Sequence, residues 1–241
     1  MAVDSSYMDK VFEKPGNSFV NFIKSMELPL EKSRSKCGKF VNLEGYKKPI
    51  PYYDDPRVHS FGNNNWLHAV AAPIATKIID IKAYNGVDLR KQILKDIPLS
   101  ESVCDLCCGI GTSTVAWGTG VDTSDAFLTM ARLGSVGNSS RFMKGNAETF
   151  GEDNSFDVVT CFFATHEMPR LARRKVFENA KRIARKKVIF VDIDPDYEPS
   201  EAMLSGEPYV QEYRRNIDFD LRYAKKEILV KNHVAKWELQ L

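Results

Sequence analysis

Apolar residues change their spacing along the chain near Pro98. Beyond it, short apolar runs bounded by turn residues alternate with segments of helical periodicity. This alternation predicts an α/β fold, a Rossmann-like, open and mostly parallel sheet with flanking helices. The expected strands are SVCDLCC, GVD, RFMKG, FDVVTCFF and KKVIFVDID, followed by KKEILVKN and HVAKWELQL as a closing pair.

Four segments have the apolar period and the end signals of helices. Proline suits the first turn of a helix, small polar residues suit the N-cap, and glycine suits the end. The expected bounds are Pro73 to about Asn85, Asp88 to about Asp96, Ser124 to Gly134, and about Pro169 to Ala184.

The first 65 or so residues are interrupted by many prolines and glycines and contain only short amphipathic pieces such as NSFVNFIKSMEL. They predict a cap or arm. We therefore expect an N-terminal arm and helical cap over residues 1–97 and a Rossmann-like core over residues 98–241.

The composition is that of an ordinary globular protein: 241 residues, 43% of them hydrophobic and 27% charged. It excludes disordered and fibrous classes. The net charge of +2 does not indicate a nucleic-acid partner. Residues 170–187 hold nine basic residues and one acidic one, which we interpret as the solvated face of a helix that packs on the sheet.

No apolar run reaches the ~18 residues of a membrane span, and the start, MAVDSSYMDK, lacks the apolar stretch of a secretory signal. We expect a cytoplasmic protein. The five cysteines fit reduced thiols. Because Cys104, Cys107 and Cys108 lie in a predicted buried strand without a second ligand pair, we expect no metal site there.

The segment VCDLCCGIGTST is an apolar strand that runs into Gly109-x-Gly111. Glycines here let the backbone pass close to a ligand, and the start of a following helix offers free N–H groups. In such sheets ligands bind beyond the carboxyl ends of the strands. Asp122 ends one predicted strand, where its carboxylate can accept hydrogen bonds from ribose hydroxyls, and Asn146 follows another, where its amide can contact an adenine edge.

With these motifs in this order, the chain resembles the class I S-adenosylmethionine-dependent methyltransferases, particularly the small-molecule branch of the ubiquinone/menaquinone biosynthesis enzymes. VCDLCCGIG is similar to the first family motif, usually written with DLGCGTG, and GVDTSDAFLTMAR is similar to the second. The run from FMKGNAETF to ATHEMP is similar to the third and fourth. The resemblance covers about residues 100–195.

The resemblance implies S-adenosylmethionine as cofactor and S-adenosylhomocysteine as product. It implies that residues near the first motif hold the methionine part, that Asp122 with Thr123 binds the ribose, and that the third motif flanks the adenine. Phe162 would close the pocket near the sulfonium. The implied cofactor-binding residues are Asp105, Cys107, Gly109, Gly111, Asp122, Thr123, Asn146, Ala147 and Phe162.

Asp122 lies only 13 positions after Gly109. In a related dinucleotide-binding fingerprint, the acidic residue lies about 20 positions after the glycines. Two explanations remain open. Either the intervening helix is reduced to a turn around residues 113–117, or the second strand is entered abruptly through Gly118 and Gly120.

His166 and Glu167 follow the fourth predicted strand at the rim of the expected pocket, and are candidates for a general base and its partner. A turn before Pro169 is the alternative. Two polar-aromatic clusters are candidates for acceptor binding, or for packing of the cap. From them we take Tyr52, His59, Tyr209 and Tyr213 as substrate-binding residues.

These features favour a methyltransferase that acts on a small molecule by in-line displacement. One alternative is an RNA or protein methyltransferase that docks through the basic helix. Another is a non-catalytic, methyltransferase-like binding partner, which the short segment after Gly109 would suit. A nicotinamide dehydrogenase is disfavoured because Thr114 stands where a third glycine is expected.

Overall fold

The computed structural model describes residues 51–55 and 63–241. In these ranges the chain forms one seven-stranded sheet in the order β3-β2-β1-β4-β5-β7-β6. The strands are β1 Val103–Leu106, β2 Thr119–Asp122, β3 Arg141–Lys144, β4 Phe156–Phe162, β5 Ala184–Ile193, β6 Lys225–Val230 and β7 Val234–Gln240. The helices are α1 Trp66–Ala83, α2 Leu89–Leu94, α3 Asp125–Gly134, α4 Arg170–Ile183, α5 Glu201–Gly206 and α6 Val210–Asp220.

Strands β1 to β5 are parallel, and β7 pairs antiparallel with both β5 and β6. This confirms the predicted Rossmann-like sheet and its closing pair of strands. The strand order reverses between β1 and β4, so a crevice opens there beyond the carboxyl ends of the strands.

Apolar side chains cover both faces of the sheet. On one face, α4 and α6 bury Val176, Ile183 and Ile217 against the sheet. On the other, Leu94 and Ile97 from the α2 region pack with strand residues such as Val158. At about 25 cal/mol per Å² of apolar surface removed from water, these two layers supply the main stabilisation of the fold.

Helix α1 begins at Trp66, seven residues before the predicted start at Pro73. The reason is Asn65, whose side-chain oxygen accepts hydrogen bonds from the N–H groups of Leu67 at 2.9 Å and His68 at 3.1 Å. This cap satisfies the first-turn donors. Pro73 therefore lies inside the helix and does not begin it.

No helix forms between β1 and β2. Residues 107–118 are turns, which supports the first of the two explanations for the short spacing and corrects the expectation that a helix begins after the glycines. The twelve residues are at the lower limit for a crossover that contains a helix and its two loops. Instead, the buried carboxylate of Asp105 accepts hydrogen bonds from the hydroxyls of Ser113 at 2.8 Å and Thr114 at 2.7 Å, which fixes the turns.

Five of the six basic residues of α4 are paired with carboxylates or buried, and Arg174 is exposed. Arg170 contacts Asp220 at 2.8 Å, and Arg182 contacts Asp153 at 2.6 Å. Arg173 is fully buried and donates to the carbonyl of Met168 at 3.1 Å. The apolar face of α4 packs on the sheet as predicted, and part of the local positive charge is neutralised by neighbouring carboxylates.

The stretch after Asp194 contains two helices, α5 and α6, that the sequence pattern did not predict. Ser200 caps α5 through a hydrogen bond to the N–H of Met203. Across residues 51–55 and 63–241, we find no helix with the length and apolar character needed to cross a membrane.

Candidate functional site

A cleft of about 1040 Å³, measured out to solvent, lies beyond the carboxyl ends of β1, β2 and β4. Of the predicted site residues, the cleft is lined by Tyr52, Cys107, Gly109, Asp122, Thr123, Asn146, Ala147, Phe162 and Glu167.

Asp122 ends β2 and is nearly buried. One carboxylate oxygen accepts a hydrogen bond from the N–H of Gly109 at 2.9 Å, and the other accepts one from the N–H of Ser124 at 2.9 Å. A carboxylate oxygen has two lone pairs, so Asp122 can hold these backbone groups and still accept from hydroxyls of a ligand in the cleft.

The two glycines of the first motif have different surroundings. Gly109 has a φ of +53°, and a Cβ added there would meet no atom within 4 Å. Gly111 has a φ of +81°, and its Cβ would lie 2.8 Å from Cζ of Phe142. Gly109 thus leaves room on the cleft side, whereas Gly111 is required by packing and does not line the cleft.

Asp105 lies beneath the cleft and is fully buried. Burial raises the pKa of its carboxyl to about 6, although hydrogen bonds from Thr114, Ser113 and Thr160 act in the opposite direction. The structure thus places Asp105 under the turns that form the cleft floor, without direct access to a ligand.

The turn after β3, which contains Asn146 and Ala147, forms a further wall of the cleft. The side-chain oxygen of Asn146 accepts from the N–H of Glu148 at 2.8 Å, and the carbonyl of Ala147 accepts from the amide of Asn179 at 2.9 Å. The amide nitrogen of Asn146 remains a donor that can face a nucleobase.

Residues before α1 cover the end of β2. The amide of Asn63 donates to the hydroxyl of Thr123, and the side chain of Asn64 accepts from the N–H of Asp125 at 3.1 Å. In α1, the ring of His68 packs edge-on against Phe127, with centroids 5.3 Å apart. The start of α1 is thereby fixed over the cleft.

His166 does not line the cleft, whereas Glu167 does. Nδ1 of His166 lies 2.6 Å from the Asp192 carboxylate at the end of β5, which also accepts from the hydroxyl of Thr165. Burial disfavours the charged imidazole, but the charge and hydrogen bond of Asp192, with the nearby Glu167 and Glu207, raise the pKa of His166 to about 10. A protonated His166 cannot accept a proton, so the structure does not support its predicted role as general base.

The four substrate candidates are not brought together. Tyr52 lines the cleft, and His59 lies outside the residues that the structure describes. Tyr213 is fully buried and donates its hydroxyl to the carbonyl of Ile193 at 2.6 Å, so it belongs to the core. Tyr209 precedes α6 and does not line the cleft. For Tyr209 and Tyr213 the placement corrects the prediction.

Several cleft residues were not singled out from the sequence. Arg90, from α2, lies over the ring of Phe163 with its guanidinium carbon 4.6 Å from the ring centroid. Phe163 is the last residue of the predicted strand FDVVTCFF and directly follows β4, and this position at the carboxyl edge of the sheet was an available signal. Arg90 had none, since its position depends on how α2 packs. Others include His68, Phe127 and Met168.

These features fit an adenosyl ligand. The Asp122 carboxylate suits vicinal hydroxyls, Asn146 offers an amide donor, and the space above Gly109, which a Cβ would enter, allows close approach to the backbone. The aromatic ring of Phe162 adds an apolar wall.

Comparison with known proteins finds similar sequences and similar folds. Residues 103–187, about a third of the chain, match a family model described as a methyltransferase domain. An uncharacterized methyltransferase of Synechocystis sp. is 29% identical over 140 residues. That alignment covers 54% of this chain and 62% of the relative, so the chain matches less than two thirds of its length.

Two solved structures share the fold. A Haloferax volcanii protein, solved in complex with the Trm112 methyltransferase activator, has a TM-score of 0.52 at 15% identity, over 71% of this chain and 96% of its own. The magnesium protoporphyrin IX methyltransferase of Synechocystis, solved with bound SAH, has a TM-score of 0.50 at 15% identity. The match covers 78% of this chain and 95% of the methyltransferase. Residues 103–187 are therefore similar in sequence to methyltransferase domains, and the chain shares the Rossmann-like fold of the two solved structures.

Proposed function

We propose that this protein is an S-adenosylmethionine-dependent methyltransferase that acts on a small-molecule acceptor. The observation that carries the proposal is the contact between Asp122 and the N–H of Gly109, beyond the carboxyl ends of β2 and β1. It joins a hydroxyl-binding carboxylate to an open glycine turn inside one cleft.

The cofactor supplies a methyl group that its sulfonium already activates, so the protein must mainly bind, align and exclude water. Asp122 with Thr123 would hold the ribose, and Asn146 with Ala147 would flank the adenine. The Phe162 ring would contact the positively charged region, where an aromatic face is favourable. Asp105 acts indirectly, because it holds the turns of residues 113 and 114.

A small acceptor is supported by the walls of the cleft. Tyr52, Tyr53 and Phe163 give it an aromatic lining. The start of α1 is hydrogen-bonded over one side through Asn63 and Thr123. Such a partly covered site suits a compact apolar acceptor better than an extended chain.

Glu167 is the candidate group for binding the acceptor or taking its proton, since its residue lines the cleft. His166 is a positioning residue. With Thr165 it binds Asp192, and this anchors the turn that carries Glu167. Replacement of Glu167 by Gln should therefore lower turnover. The decrease should be larger for a hydroxyl acceptor, which must lose a proton, than for an acceptor that loses none.

The test is calorimetric titration of the full chain with S-adenosylmethionine, S-adenosylhomocysteine and NAD in parallel. We expect S-adenosylmethionine and S-adenosylhomocysteine to bind with micromolar affinity, and NAD to bind much more weakly. Absence of binding of both ligands at millimolar concentration would overturn the proposed function.

A further inference from the structure

Three side chains that commonly bind metal ions converge beside the cleft. Among the described residues, a ring nitrogen of His166, a carboxylate oxygen of Glu167 and a carboxylate oxygen of Glu207 all lie within 4.8 Å of one another. His166 and Glu167 belong to the single helical turn after β4, and Glu207 directly follows α5. The tertiary fold therefore assembles this cluster from two segments that are far apart in the chain.

The spacing of these atoms is close to that of ligands around one metal ion. Two nitrogen or oxygen ligands, each about 2.0–2.2 Å from the same ion, are separated by roughly 3–4.4 Å. Nε2 of His166 lies 3.8 Å from Oε1 of Glu167, which is within this range. Small rotations of the two glutamate side chains would bring all three ligand atoms onto one ion.

Asp192 fixes the ring of His166 and leaves Nε2 as the ligand atom. Nδ1 of His166 lies 2.6 Å from Oδ1 of Asp192. The other carboxylate oxygen accepts hydrogen bonds from the N–H groups of Thr165 at 2.8 Å and His166 at 3.1 Å. A metal-bound histidine in proteins almost always donates its other ring N–H to a carboxylate, a carbonyl or water. The pair of His166 and Asp192 has this arrangement, and it is an observation separate from the approach of the two glutamates.

Burial favours a cation between the two glutamates. His166 and Glu167 are only 8% and 9% exposed, and Glu207 is partly buried. Two carboxylates at this separation repel each other, and the repulsion increases as water is removed. A divalent cation between them replaces that repulsion by attraction. In the metal-free protein Nε2 carries a proton instead, and metal binding releases it.

The types of ligand indicate which cation fits. One imidazole with two carboxylates suits first-row divalent ions such as Mn²⁺ and Zn²⁺, whereas Mg²⁺ and Ca²⁺ prefer oxygen ligands alone. Three protein ligands leave at least one coordination position open for water or a substrate oxygen. Because Glu167 lines the cleft, this open position is within reach of a bound acceptor.

We propose that His166, Glu167 and Glu207 bind a divalent cation, Mn²⁺ or Zn²⁺, whose open position holds an oxygen atom of the methyl acceptor. Coordination fixes the position of that oxygen and, in a hydroxyl, lowers its pKa. Glu167 then contacts the acceptor through the ion. Metal binding itself is independent of the proposed function, whereas the assignment of the open position to the acceptor rests on it.

The test is titration of the full chain, freed of metal with a chelator, with Mn²⁺ and with Zn²⁺. Electron paramagnetic resonance measures unbound Mn²⁺, and calorimetry measures the binding of Zn²⁺. The variants are Glu167→Gln, Glu207→Gln and Asp192→Asn. Glu201→Gln is the matched control, because it removes an exposed carboxylate from α5 that is outside the cluster.

We expect the wild type to bind one ion per chain with micromolar affinity. Glu167→Gln and Glu207→Gln each remove a ligand and should weaken binding at least tenfold. Asp192→Asn removes the carboxylate that orients the imidazole and should weaken binding by about 10- to 100-fold. Glu201→Gln should leave the affinity unchanged.

Proton relaxation places the ion relative to the cleft. Bound Mn²⁺ should speed the relaxation of solvent water, because water exchanges at the open position, and also that of the protons of bound S-adenosylhomocysteine. Both effects should disappear in Glu207→Gln. If the protons of bound S-adenosylhomocysteine are unaffected in the wild type, the ion does not face the cleft and its role in acceptor binding is overturned.

Failure of either ion to bind at millimolar concentration would overturn the inference, as would equal affinities of the wild type and Glu207→Gln. If S-adenosylhomocysteine binds and neither metal ion does, the inference fails and the proposed function stands. If a metal ion binds and no adenosyl ligand does, the proposed function fails and only the metal site stands.

Binding of S-adenosylhomocysteine also shows that a variant retains a folded cleft. Should Glu207→Gln not fold, Glu207→Asp keeps the negative charge and shortens the side chain by one methylene group. It should likewise weaken metal binding at least tenfold, and an unchanged affinity would exclude Glu207 as a ligand.

Discussion

The carboxylate of Asp122, at the end of β2, accepts a hydrogen bond from the backbone N–H of Gly109, just beyond β1, at 2.9 Å. The two residues are 13 positions apart in the chain, yet β1 and β2 are parallel neighbours. The pairing of β1 with β2 therefore brings the carboxylate to the glycine turn, although the connection between the two strands contains no helix.

Replacing Asp122 by Asn should weaken binding of S-adenosylhomocysteine by at least tenfold. The substitution removes a charged acceptor from the proposed ribose site and from the Gly109 N–H, and charged hydrogen bonds contribute about 1.5–3 kcal/mol. Calorimetric titration measures the change. Asp125→Asn is the control, because Asp125 is exposed, pairs with Lys144 and does not line the cleft. Equal affinities of the two variants would argue against the assignment.

The two glycines of the turn should respond differently to alanine. Gly111→Ala places a Cβ 2.8 Å from Phe142 and 3.2 Å from the Cβ of Ala131, at a positive φ, and should lower the unfolding free energy by about 2–5 kcal/mol. Gly109→Ala meets no protein atom within 4 Å. It should cost about 1–2 kcal/mol from its φ and additionally weaken cofactor binding.

Urea unfolding and titration with S-adenosylhomocysteine separate the two cases. The expected result is a larger loss of stability in Gly111→Ala and a larger loss of affinity in Gly109→Ala. The reverse pattern would show that the cleft floor is misassigned.

The pair of His166 and Asp192 should make stability depend on alkaline pH. The pKa of His166 is about 10 in the folded protein and about 6.5 when unperturbed. Its stabilisation is therefore complete below about pH 6.5 and is lost as the pH rises through 10. The unfolding free energy should fall in that window by at most about 1.4 kcal/mol per pH unit.

Urea unfolding at pH 7 and pH 9.5 checks this, and His166→Gln should reduce the difference between the two values. His233→Gln is the matched control, because burial lowers the pKa of His233 to about 4, which leaves it neutral at both pH values. If His166→Gln retains the full difference, the pair is not its source.

Tyr213→Phe tests the assignment of Tyr213 to the core. Its hydroxyl donates to the carbonyl of Ile193 at 2.6 Å, and loss of a buried hydrogen bond costs about 1–3 kcal/mol. We expect a lower urea midpoint and unchanged affinity for S-adenosylhomocysteine. An altered affinity with an unchanged midpoint would instead return Tyr213 to the ligand site.

The strand assignments and the ends of several helices could be predicted because their signals are local. Ser124 caps α3 through a hydrogen bond to the N–H of Phe127, and Asp88 caps α2 through the N–H of Lys91. The start of α1 was missed because Asn65 caps it, while Pro73 carries the more conspicuous sequence signal. Local competition between two plausible start signals explains that error.

Strand ends at the carboxyl edge of a parallel sheet meet by geometry, so Asp122, Asn146 and Phe162 could be placed in one cleft from sequence order alone. Side-chain direction needed coordinates. His166 and Glu167 are adjacent in the chain, yet Asp192 binds the His166 ring away from the cleft that Glu167 lines.

The alternation of apolar and polar residues thus specifies the strands, their parallel class and the edge at which a ligand binds, since these follow from period and chain order. The position of Arg90 over Phe163, the burial of Tyr213 and the pairing of His166 arise from contacts between residues far apart in the chain. Such contacts depend on how helices pack on the sheet, and no local sequence pattern encodes them.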